Sequence, residues 1–203
     1  MVLDADTFEA GLTVAEGTEI TLDLNGHRLR GVGPFAGSEG TQANCLWLAK
    51  GSKVTIKNGT IDTIAPGVTI LIQNYSDLTL DNVKLAGYRT TDYVLSNNCG
   101  NTVIKGNTEI KARSGKVAFD VHYGLLPEYD DGVSVTIADP TVTITGAVEF
   151  TKADRVVDKA EFLSKAHLYV PTGYRGFAAP DGYEFEPAND SQDELVPAST
   201  ETE

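Results

Sequence analysis

The side chains of this 203-residue chain that could do chemistry are few and scattered. His27, His122 and His167 share no spacing of the HxxxH kind that brings two imidazoles onto one metal ion. Cys45 and Cys99 have no CxxC or CxxH neighbour and read as free, partly buried thiols rather than a disulfide framework or a zinc site. Ser76, Ser96 and Ser134 lack the GxSxG elbow that exposes a nucleophile, and no glycine-rich phosphate loop is present. Hydrolysis of a glycosidic bond needs two carboxylates held across a groove. Clustered acids could instead hold calcium, but the candidates Asp62, Asp81 and Asp120 do not recur at a common interval. Glu128, Asp130 and Asp131, in EYDDG, have the composition of a calcium loop but read as solvated loop acids. Arg89 and Arg113 both follow turns and read as a solvated pair. No catalytic residue, cofactor or metal ligand is assigned. The side chains left for partner or glycan contact are Trp47, Tyr75, Tyr88, Tyr93 and Tyr123, flat faces able to stack on sugar rings.

The elements that would position these residues are written as a repeat. Ile56, Leu80 and Ile104 lie 24 residues apart, and so do Leu46, Ile70 and Val94. Each unit carries two apolar patches: CLWLAKGSKVTIKNGTI, TILIQNYSDLTLDNVKL and YVLSNNCGNTVIKGNTEI. A degenerate fourth unit, residues 117–144, is stretched by an insertion at 125–132 (LLPEYDDG). Apolar residues alternate within the units, as at Val54 and Ile56 or Leu78 and Leu80, which is the period of a half-buried strand. Asn25-Gly26, Asn58-Gly59, Asp81-Asn82 and Gly106-Asn107 sit where the strands must turn, and these types tolerate a left-handed backbone. Short strands at a fixed period without helices between them predict an all-β solenoid of about five or six stacked coils.

TLDLNGHRLRG, SKVTIKNGTI, SDLTLDNVKLAG and YVLSNNCGNTVIKGNTEI resemble phrases of the right-handed parallel β-helix, the pectate-lyase-like fold, over roughly residues 10–150. Similar phrases occur in surface proteins of gut bacteria and in virion proteins of their phages. The resemblance implies caps at both ends, because exposed strand edges invite aggregation. Residues 1–15 are expected as the N-terminal cap, with a short helix in DADTFEA and an apolar face at Phe8, Leu12 and Val14. Residues 16–150 form the expected β-helix and residues 151–186 the C-terminal cap. In that cap a short helix at 154–165 precedes the YVPTGY turn, and Tyr169, Val170, Tyr174, Phe177, Tyr183 and Phe185 cover the last coil. An acidic tail, 187–203, is expected to be disordered by composition. Hydrolases resembling this fold carry Asn-Thr-Asp, Asp-Asp, Gly-His-Gly and Arg-Ile-Lys phrases on successive coils, a set missing here.

Net charge is −13, and eight acids without a single Lys or Arg fall in residues 181–203. The rest of the chain carries 21 acids against 16 bases, so no basic stripe is available to neutralise phosphates and nucleic acid is not an expected partner. No apolar run approaches the ~20 residues of a membrane span, and Met1–Leu12 lacks the pattern of an export signal. These features predict a non-enzymatic structural protein of a phage virion, of the capsid-decoration, head-fibre or tail-fibre type, made in the host cytoplasm. A homotrimer with an apolar flank is expected, in contact with other virion proteins such as a capsid protein. Trp47 and the loop GVGPFAGSEGT (31–41) are further contact candidates. The alternative is a glycan-binding or polysaccharide-lyase-like module of a bacterial surface protein.

Overall fold

A computed structural model describes residues 1–38, 40–123, 131–151 and 164–198. The described residues are all-β, with no helix. The strands are β1 (Thr7–Glu9), β2 (Leu12–Val14), β3 (Glu19–Asp23), β4 (Arg28–Gly31), β5 (Asn44–Leu48), β6 (Lys53–Thr63), β7 (Ile70–Asn74), β8 (Asp77–Ala86) and β9 (Tyr93–Asn97). They continue as β10 (Gly100–Lys105), β11 (Glu109–Lys111), β12 (Val117–His122), β13 (Val133–Ile137), β14 (Thr143–Thr145), β15 (Ala147–Thr151), β16 (Ala166–Pro171), β17 (Tyr183–Asn189) and β18 (Gln192–Pro197).

Two long sheets result, and every pairing up to β16 is parallel. The first sheet runs β1-β4-β6-β8-β10-β13-β16-β18-β17, with β3, β11 and β14 joined at its side. The second runs β15-β12-β9-β7-β5-β2. Leu22, Ile56, Leu80, Ile104 and Ile137 are successive partners, and so are Leu29, Ile61, Leu85, Ile110 and Ile144, with the 24-residue repeat setting the register in the middle, at Ile56–Leu80–Ile104 and Ile61–Leu85. All but Ile144 are buried, and each fully buried Leu or Ile contributes about 1.5–3 kcal/mol. Columns of like aliphatic residues stack because parallel pairing places equivalent positions one strand spacing apart, ~4.8 Å.

The expected corners carry the expected backbone. Asn25, Asn58 and Asn82 have φ of 52°, 59° and 55°, and Gly106 has 64°. The corner at Asn58 bends the 11-residue β6, so one continuous strand pairs with both β3 and β4. The second sheet departs from the 24-residue beat. Leu46 pairs with Ile72, and Ile72 with Leu95, instead of the expected Leu46–Ile70–Val94 series. The cause is corner length: residues 49–52 separate β5 from β6, whereas only 75–76 separate β7 from β8.

The ends differ from expectation. DADTFEA forms no helix: Thr7–Glu9 is a strand paired with β4, and Phe8 points to solvent at 64% exposure, outside the expected apolar face. Alternation explains this, since strand pairing with β4 turns Phe8 to the side opposite its neighbours. The helix expected at 154–165 lies outside the described residues except Ser164 and Lys165, which form a turn. The segment expected to be disordered is ordered through residue 198. β17 and β18 make an antiparallel hairpin, and β18 pairs antiparallel with β16. Glu184 and Glu186 face solvent, whereas Leu195 is buried, and so is Asp193, whose carboxylate accepts from Gly173 N. Phe177 packs edge-on against Phe119, Tyr174 and Phe185, and Phe150 meets Tyr183. Tyr169 instead stacks on His167, outside this cluster.

Candidate functional site

Where the second sheet passes into the first, the corners of successive repeats line up. Residues 49–52, Tyr75, Asp77, 99–101, 131–134, Ser164, Lys165 and His167 border a groove of about 800 Å³. The long corner 49–52 extends one wall, and Gly51 (φ 76°) lets it turn there. Trp47 lies half-buried in that wall, its indole braced edge-on by Tyr75 at 6.2 Å between ring centroids. Tyr75 is 9% exposed, and its hydroxyl accepts a hydrogen bond from Gln73 Nε2, which is how a phenol expected in an open turn comes to be buried.

The adjoining polar column comes from equivalent positions on four strands: Asp77, Asn101, Ser134 and His167. Its first three members are fixed to one another. Asn101 donates to Asp77 Oδ1 through its backbone N–H and through Nδ2, and Ser134 Oγ donates to Asn101 Oδ1 at 2.7 Å. His167 Nδ1 lies 2.7 Å from Glu194 Oε1. Lys50 pairs with Asp131, and the ammonium of Lys165 sits 5.2 Å over the Tyr123 ring.

The sequence candidates therefore separate. Trp47 and Tyr75 come together in the groove, while Tyr123 is buried at 1% exposure behind Lys165. Tyr88 lies at a different corner beneath Arg89, 5.4 Å from its ring. Tyr93 is on the outside of the second sheet, its hydroxyl donating to Glu149 Oε2 at 3.0 Å. A single face of stacked tyrosines does not form, because burial and corner position divide the four. Within the loop 31–41, residues 34 and 35 lie against the body: Pro34 O accepts from Gly11 N, and Phe35 packs against the core.

A carboxylate pair escaped the sequence reading. Asp120 and Glu149 are direct partners on β12 and β15, 29 residues apart and therefore off the 24-residue beat. Asp120 is 5% exposed and accepts from Asn97 N at 2.7 Å and Ser96 Oγ at 3.2 Å. Burial pushes its carboxyl up to about 7, and the charge of Glu149 adds to the rise. Desolvation, then the bond to Glu149, pushes Tyr93 up to about 12. Cys45 and Cys99 are both free and buried. Among the described residues no group of three His, Cys, Asp or Glu is placed to hold a metal ion, and no helix is long and apolar enough to cross a membrane.

No known protein family, curated protein or solved structure matches the chain.

Proposed function

We propose that the chain is a short right-handed parallel β-helix of the pectate-lyase-like kind, serving as a non-enzymatic structural component of a phage virion. The observation that carries this reading is the use made of the outer charges. Arg30 grips Asp62 through two 2.7 Å bonds, with Arg28 at 3.3 Å from the same carboxylate. Lys57–Asp23, Lys105–Asp81 and Lys116–Asp92 likewise join one repeat to the next. These carboxylates hold the stack together instead of facing a substrate, which suits a protein selected for endurance. The outer columns Thr21–Thr55–Thr79 and Asp23–Lys57–Asp81–Lys105 are polar, so the apolar flank expected of a trimer is not on that face. Phe8 and Ile64 are large apolar side chains exposed to solvent, and on this reading they are the candidate contacts between copies.

The second reading, a polysaccharide lyase or hydrolase module of a bacterial surface protein, draws on Asp120 and Glu149 lying side by side with Tyr93. Light scattering combined with a reducing-end assay on polygalacturonate and neutral polysaccharides separates the two. A trimer without sugar release supports the structural role. A monomer that releases reducing ends overturns it.

A further inference from the structure

We propose that the groove beside Trp47 is a binding site for a neutral saccharide. Its volume, about 800 Å³, is within the roughly 300–1,000 Å³ usual for small-ligand sites. One wall offers an indole held in place by Tyr75. The polar column beside it presents Asp77, Asn101, Ser134 and His167 at the strand spacing, the first three oriented by mutual hydrogen bonds and His167 by Glu194. An aromatic plate next to a row of fixed donors and acceptors matches the two sides of a pyranose, a C–H face and a hydroxyl rim.

The charges set the ligand class. Lys50 is committed to Asp131, and His167 to Glu194. Lys165 lies over Tyr123. Glu16 and Asp77 also line the groove, giving three acids with Asp131 against two lysines. An anionic sugar would meet this excess of negative charge, whereas an uncharged one meets hydrogen-bonding groups with no desolvated ion to satisfy. The site stands on the groove alone and holds whether or not the protein belongs to a virion.

Trp47 is the single tryptophan of the chain, so its emission reports directly on the groove. The test titrates the full chain with maltohexaose, cellohexaose, mannohexaose and chitohexaose, with hexagalacturonate as the anionic comparison, and repeats any binding by calorimetry. At least one neutral oligosaccharide is expected to give a saturable emission change with Kd of roughly 0.01–1 mM. Trp47→Ala should weaken that binding at least about tenfold. Asn101→Ala, at an exposed position where folding is not at stake, should weaken it about three- to tenfold. The proposal is overturned if no neutral member binds, if hexagalacturonate binds more tightly than all of them, or if binding survives Asn101→Ala unchanged.

Discussion

Replacing Asp120 by Asn should stabilise the protein, and more so as pH rises. Asp120 titrates near 7 in the folded chain, against an ordinary value of 3.8. The folded state thus holds a proton that the unfolded state releases between those values, and stability falls as pH climbs from about 4 to about 7, then levels. The full difference is about three pH units, or about 4 kcal/mol, and the part lying above pH 5.5 is about 2 kcal/mol. Asparagine keeps an oxygen for Asn97 N–H and turns an amide toward Ser96 Oγ, which has lone pairs to accept it. Urea denaturation of wild type and Asp120→Asn at pH 5.5 and 8.5 isolates the effect, because titrations that do not interact with Asp120 cancel in the comparison. The stability advantage of the variant should grow by about 2 kcal/mol between the two pH values. Parallel pH dependences would show that Asp120 is ionised throughout and refute the argument from burial.

Other outcomes follow from packing and backbone geometry. Asn82→Ala, at φ 55°, should cost about 1–2 kcal/mol in chemical denaturation, whereas Asn82→Gly should be close to neutral. Asn74→Ala should cost roughly 3–5 kcal/mol, because Asn74 Nδ2 donates to Asn97 Oδ1 and Thr102 Oγ1 while its Oδ1 accepts from Ser76. Gly31→Ala places a Cβ 2.3 Å from Cys45 Sγ and should cost about 1–3 kcal/mol, partly recovered in a double variant with Cys45→Ala. Burial pushes the Cys45 thiol up to about 12, so iodoacetamide should leave it unmodified in native protein at pH 8 and label it fully in urea, by mass spectrometry.

The middle of the first sheet was legible because Ile56, Leu80 and Ile104 recur every 24 residues. Leu80 and Ile104 could be placed over Ile56 by counting. The asparagine corners were legible for a local reason, since few residue types accept positive φ. Corner lengths of the second sheet were not, and a two-residue difference at 49–52 moved Leu46 from Ile70 to Ile72. The same irregularity hid the pairing of Asp120 with Glu149, whose 29-residue separation spans the insertion before β13. The hairpin β17–β18 was masked by its acids. Composition suggested disorder for 187–203, and the signal missed there was Leu195, which pairs with Phe185 and turns inward with it. Trp47 and Tyr75 were singled out by type, but their meeting depends on a fold-level alignment of corners that no local pattern encodes.

The structural role itself is tested most directly by locating the protein on particles. Immunogold electron microscopy of purified virions, from a phage whose genome carries this gene, should show label at regular positions on the head or tail. Unlabelled particles, with all of the protein recovered as a soluble form that cleaves polysaccharide, would contradict the account.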